Sequence, residues 1–141
     1  LLDDPGALYV SLHQDRFYPY AGEIDDIETG EAKGTIVNIP LPAGTAGDVY
    51  REAWDGLVIP VVTQFEPDWV LISAGFDALA GDNVAHLSLD PESYGPLTDA
   101  LVAVACRHSQ GRVVSVLEGG YDLGHLGAAV VAHVRALSAD L

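Results

Sequence analysis

One cysteine, no methionine and a single lysine, Lys33, set the first limits on this chain of 141 residues. The lone Cys106 excludes an internal disulfide. Its neighbours Val102, Ala103, Val104 and Ala105 are apolar, which predicts a buried, unreactive thiol. Basic residues are scarce: six against twenty-one acidic ones, for a net charge of −15. No patch can form that would neutralise phosphates, so direct binding to nucleic acid or to an anionic membrane surface is excluded. No apolar run within these residues approaches the ~20 that cross a bilayer, and none of them reads as a secretory signal, a targeting signal upstream staying open. A cytoplasmic protein is the default expectation. Without methionine, the chain as given is not expected to begin where translation begins. Repeats, low-complexity tracts and linkers are also lacking.

What is present is a chain of 49% hydrophobic residues under that acidic surface. This is more apolar sequence than a domain of this length needs. It suits part of a larger core, although a small α/β domain with a rich core also fits. The acidic field suits cationic substrates such as polyamines or lysine-rich peptides, with plain solubility as the simpler alternative. Acidic residues concentrate in Glu23-Ile24-Asp25-Asp26-Ile27-Glu28-Thr29-Gly30-Glu31, read as a solvated loop; it lacks the ligand spacing of a calcium-binding loop.

Strands are expected at Ala7–Leu12 and Thr35–Pro40, joined by a long polar loop in which Phe17-Tyr18-Pro19-Tyr20 argues for local order. A helix is expected from Gly47-Asp48, with Asp48 as its cap. Its apolar face is Tyr50, Trp54, Leu57, Val61 and Phe65, and Pro60 should kink or split it. Trp69-Val70-Leu71-Ile72 reads as a strand buried on both faces. Asp90-Pro91 opens a helix with Tyr94, Leu97, Leu101, Val104 and His108 on one face, stopped by Gly111. A strand at Val113–Leu117 comes next. The last helix is expected from Leu123 to Ser138, burying Leu123, Leu126, Val130, Val134 and Leu137. This alternation predicts an α/β fold, a parallel sheet flanked by helices with right-handed crossovers. Both later strands break into Gly and Asp, which would deliver Asp77, Asp82 and Tyr121 to one edge of one sheet.

Ser73-Ala74-Gly75-Phe76-Asp77-Ala78, the step Gly81-Asp82, and Leu117-Glu118-Gly119-Gly120-Tyr121 resemble the histone deacetylase superfamily. The resemblance is closest to its bacterial acetylpolyamine amidohydrolase and acetoin-utilisation members. Upstream, Leu8-Tyr9-Val10-Ser11-Leu12-His13, Phe17-Tyr18-Pro19, Gly22 and Val37-Asn38-Ile39-Pro40-Leu41-Pro42 match in the same order, so the resemblance covers essentially residues 1–141. It implies the arginase/deacetylase-type fold, here as its C-terminal half. The family's paired histidines and its Asp-x-His zinc motif would both precede Leu8. None of His13, His86, His108, His125 and His133 stands in either pattern.

The resemblance makes Asp82 a zinc ligand; read alone, Asp82 caps a turn after Gly81. Here Asn83-Val84 replace the Pro-Leu usual after that Asp. Tyr121 becomes the donor to the scissile carbonyl, or else a tyrosine packed on the last helix. Gly119 and Gly120 would let substrate approach closely, and Asp122 replaces a usual Asn. Tyr18 would line the tunnel for the acyl-lysine stem, or anchor its loop over the core. Asp77 is expected to organise its loop through backbone hydrogen bonds. Ser11 and Leu12 match positions around a structural potassium ion, and His13 is taken as a polar core residue. The implied activity is zinc-dependent hydrolysis of the acetyl amide of acetyl-lysine or an acetylated polyamine. The chain by itself is expected to be inactive and, having a cut sheet edge, to self-associate. The alternative is a non-catalytic binding or assembly module of the same fold.

Overall fold

The computed structural model describes residues 4–27 and 30–139. They fall in two compact units, Leu1–Ala43 and Gly44–Leu141. In the first unit, β1 (Tyr9–Gln14) and β2 (Ile36–Leu41) form a parallel pair with Tyr9 opposite Ile36 and Gln14 opposite Leu41. Both strands run slightly later than the hydrophobic pattern predicts, because the ladder continues to an Asp15 N–H bonded to the Leu41 carbonyl at 2.8 Å. His13 ties the long connection to this pair. Its Nδ1 lies 3.0 Å from Ser11 Oγ and its Nε2 3.0 Å from the Gly22 carbonyl. Buried Asn38 donates to the Asp26 carbonyl at 3.1 Å. Polar anchors therefore order this loop, while Tyr18 and Tyr20 are about four-fifths exposed, at 78% and 81%. The acidic stretch is exposed over 23–27, and Glu28 and Thr29 lie outside the described residues.

In the second unit, β3 (Val70–Ala74) pairs parallel with β4 (Val113–Leu117), Val70 opposite Val113. The described strands thus form two parallel pairs, with helices joining and following the second. Burial of β3 on both faces does not hold. Val70 and Ala74 are buried, but Leu71 is 75% exposed, and Val114 and Val116 on β4 share its open face.

The first helical region splits as Pro60 predicts. α1 (Gly47–Ala53) passes through a π turn at Trp54–Val58 into α2 (Ile59–Phe65), with Pro60 in the first turn of α2. A π turn inserts one residue and rotates the next helical segment by about 100°. Val58 is therefore buried where Leu57 was expected, and Leu57 is half exposed. Asp48 sits inside the first turn, with Ala46 at the cap.

α3 (Tyr94–His108) buries Tyr94, Leu97, Leu101 and Val104 as its periodicity predicts. It is entered by a 3₁₀ turn, Pro91–Ser93, in which the Asp90 carbonyl accepts the Ser93 N–H at 3.0 Å. Cys106 is exposed, not buried, because position 106 falls between the rows of the apolar stripe. α4 (Leu126–Ser138) starts three residues later than expected. The Asp122 carboxylate holds a turn there by accepting the Gly124 N–H at 2.9 Å. α4 buries Ala129, His133 and Ala136, leaving Val134 exposed. Small side chains face α3: a Cβ on Gly95 would lie 3.8 Å from the Ala132 carbonyl oxygen. The larger aliphatics of α4 are thereby turned aside.

His133 clamps three elements. Its Nδ1 lies 2.6 Å from Thr98 Oγ1 on α3 and its Nε2 2.8 Å from Ser115 Oγ on β4. Desolvation holds its pKa below the ordinary histidine value. The unfolded chain therefore takes up the proton first as pH falls. Stability is full above about pH 6.5 and declines below it, towards the lowered folded value. Chemical denaturation at pH 7.5 and 5.5 should show this loss in the parent chain. A His133→Phe variant, whatever its starting stability, should lose less over the same interval, and equal losses would contradict the assignment.

Candidate active site

The two loops that leave β3 and β4 meet on one carboxylate. Asp82 is 9% exposed, and each of its oxygens accepts two backbone hydrogen bonds. Oδ1 takes the N–H groups of Val84 at 2.8 Å and Ala85 at 3.2 Å, within its own loop. Oδ2 takes those of Tyr121 at 2.7 Å and Asp122 at 3.1 Å, across from the β4 loop. Burial opposes the ionised form, but these four donors outweigh it and hold the pKa below the usual carboxylate value. Asn83 adds a second tie by donating to the Tyr121 carbonyl at 3.1 Å.

Asp77 has the opposite surroundings. Burial raises its pKa, and the charges of Asp82 and Glu118 raise it further, against a lowering bond from its own N–H. Its carboxylate lies against Gly119, where a Cβ would come within 2.6 Å of Oδ2. Residue 119 must be glycine for this carboxylate to lie where it does. Gly120 has φ +135°, and a Cβ there would come within 2.9 Å of both Phe76 Cβ and Leu126 Cδ1. The glycine pair thus seats Asp77 and Phe76. Phe76 is itself fully buried, and its N–H donates to the Gly119 carbonyl at 2.8 Å.

Asp77 accepts a backbone N–H within its loop, and Asp82 shares the loop-organising role expected of it. The same four bonds orient the Asp82 carboxylate and fill the four lone-pair positions of its two oxygens. Burial and neighbouring charge shift Asp77 in the opposite direction from Asp82. The residue pattern alone could not separate the two, because two of the donors to Asp82 stand 39 and 40 residues away.

Tyr121 is half exposed at the sheet's carboxyl end, not packed away against α4. Beside it, His125 Nδ1 lies 2.5 Å from Asp122 Oδ2, and this bond, first among several causes, lowers the Asp122 pKa. Beneath the loops, burial pushes the Tyr50 and Tyr94 phenols well up, with Asp77 among the charges that add to both shifts. The Tyr94 hydroxyl is buried with no hydrogen-bond partner among the described residues. Tyr18 belongs to the first unit, and Ser11 there has its hydroxyl on His13. Among the described residues no three His, Cys, Asp or Glu side chains gather as a metal-binding group. The described residues of the second unit present no closed set for a zinc ion, and a metal at Asp82 would have to displace one of the four N–H groups that fill its lone-pair positions.

Known proteins resemble this chain in sequence and in fold. The histone deacetylase domain model matches residues 1–137. Histone deacetylase 14, chloroplastic, of Arabidopsis thaliana is 38% identical over 96% of this chain and 32% of its own length. A probable deacetylase of Archaeoglobus fulgidus is 40% identical over 86% of this chain and 34% of its own. The structure of the histone deacetylase Clr3 superposes with a TM-score of 0.89 at 38% identity, over 96% of this chain and 23% of that one. The HD domain of HDA15 does so with a TM-score of 0.85 at 34% identity, over 92% and 36%. The chain spans about a third or less of the curated relatives it matches. A match over nearly the whole chain, in sequence and in fold, means that it belongs to the histone deacetylase family.

Proposed function

We propose that this chain is the C-terminal part of the catalytic domain of a zinc-dependent deacetylase, acting on the acetyl amide of lysine or of a polyamine. The observation that carries the proposal is the junction at Asp82, which brings an ionised carboxylate and the backbone of Tyr121 together. Hydrolysis of an amide needs an activated water, a donor to the developing oxyanion, and a proton for the leaving amine. Tyr121 supplies the donor: its backbone is held at both N–H and C=O, while its half-exposed ring reaches solvent. In this reading Asp82 is the metal ligand, exchanging one of the loop N–H groups that it gathers for the ion. Asp77 stands behind it and keeps Gly119 in place. Zinc, when bound, supplies the Lewis acidity that makes water a nucleophile near neutral pH. Gly119 and Gly120 would lie at the reacting end, and the family resemblance assigns Tyr18 to the substrate's aliphatic stem. A structural potassium at Ser11 and Leu12 and a cytoplasmic location belong to the same proposal. The acidic surface supports a cationic amine product, whether in a protein or a polyamine. The chain alone is inactive on this reading, because Asp82 needs partner ligands from outside the described residues.

Two aspartate variants in a complete domain carrying this chain test the assignment. Asp82→Asn should abolish zinc-dependent turnover of an acetyl-lysine peptide and lower zinc content. It also turns an N–H donor towards the loop N–H groups, each unmatched bond costing about 1–3 kcal/mol. The thermal midpoint should therefore fall by several degrees, at about 2–4 °C per kcal/mol. Asp77→Asn should retain zinc and most of the thermal midpoint. Zinc lost from Asp77→Asn and kept by Asp82→Asn would move the metal to Asp77.

The open apolar face of Leu71, Val114 and Val116 supports self-association of the isolated chain, since parallel pairs are ordinarily covered on both sides. Light scattering over a concentration series should show a mass rising above that of one chain, and Leu71→Lys with Val116→Lys should return it to the monomer. A monomeric mass throughout would remove this part of the proposal.

A further inference from the structure

His133 does more than hold two helices to a strand. Thr98 has one hydroxyl proton and donates it to the Tyr94 carbonyl at 2.7 Å. Towards His133, at 2.6 Å, Thr98 can therefore only accept. This puts the imidazole proton on Nδ1 and leaves Nε2 to accept from the Ser115 hydroxyl at 2.8 Å. Donation runs one way, from Ser115 through His133 and Thr98 to the Tyr94 carbonyl. The imidazole so fixed meets the Phe76 ring edge-on, at 5.8 Å between centroids and 78° between planes. Tyr94, the residue at the far end of the relay, also packs on Phe76, at 4.8 Å and 31°.

Phe76 is where the relay reaches the candidate site. It directly precedes Asp77 and bonds Gly119 through its N–H, and its Cβ occupies the space a side chain at position 120 would need. A shift of this ring moves the Asp77 loop and the Gly119-Gly120 turn that leads into Tyr121. An aliphatic residue at position 133 could fill the volume. It could not offer a donor to α3 and an acceptor to β4 from one rigid plane.

We infer that His133 is a positioning residue for the site. As a neutral, Nδ1-protonated imidazole bonded to Thr98 and Ser115, it fixes Phe76, and through Phe76 both Asp77 and the turn before Tyr121. The inference concerns the geometry of this chain, and only its activity arm rests on the deacetylase reading.

The test begins with long-range ¹H–¹⁵N spectra of the imidazoles in this chain at pH 7.5, where His133 should show the Nδ1–H tautomer. Two variants extend it: Thr98→Val, which removes the acceptor with little change of shape, and His133→Phe, which keeps a ring and removes both bonds. Each should shift the Phe76 ring resonances and the amide signals of Phe76, Gly119 and Gly120, while signals of the β1–β2 pair stay in place. In a complete domain carrying this chain, Thr98→Val should lower kcat by about tenfold with KM changed by less than about twofold, as for a small misplacement of reacting groups. An Nε2–H tautomer, unmoved Gly119 and Gly120 amides in a folded Thr98→Val variant, or a change in KM alone would overturn the inference. A complete domain that is inactive before any substitution overturns the deacetylase reading instead, and the spectra still decide the role of His133.

Discussion

The rest of the site depends on one shared carboxylate. Asp82 gathers four backbone N–H groups, two from the loop after β3 and two from the loop after β4. Bonds of this charge-assisted kind are shorter and stronger than neutral ones. Their donors would otherwise be left without partners close to the carboxyl ends of the strands. Parallel strands cannot be joined by a tight turn, and the β3–β4 ladder extends only as far as the Phe76 N–H on the Gly119 carbonyl. Beyond it, Asp82 ties the two loops together. Once the two loops are pinned, Gly119 can lie against the Asp77 carboxylate and Tyr121 must emerge beside it.

Apolar packing then carries this geometry down into the helical layer. Phe76 and Leu79 are fully buried under the loops, and Phe76 is in ring contact with both Tyr94 and His133. α3 and α4 approach closely because Gly95 faces Ala132 and because Ala129 and Ala136 are small. That closeness lets one imidazole bond α3 and β4 together. The site is thus braced from above by an ionised carboxylate and from below by a neutral histidine. Asp82 holds its charge to a lower pH than an ordinary carboxylate, and burial shifts His133 towards its neutral form.

Much of this was legible in the residues. The strands, the split at Pro60, the buried stripe of α3 and the loops bearing Asp77, Asp82 and Tyr121 are all set by pattern and turn chemistry. What was not legible depended on contacts remote in sequence or on a local change of period. The π turn at Trp54–Val58 exchanged Leu57 for Val58 in the core. The start of α4 moved to Leu126 because Asp122 spends its carboxylate on a turn. Cys106 has apolar neighbours in sequence yet faces outward, since neighbours along a helix do not share a face. That Asp82 joins the two loops was hidden for the same reason: two of its donors are amides some forty residues away.

The central claim is that the Asp82 carboxylate joins the two loops. Residue-resolved amide hydrogen exchange tests it most directly, comparing the chain as it stands with Asp82→Asn. The account predicts strong protection of the Tyr121 and Asp122 amides in the parent chain, lost in the variant while the β3–β4 ladder amides stay protected. Rapid exchange of those two amides in the parent chain, or equal protection in both proteins, would contradict it.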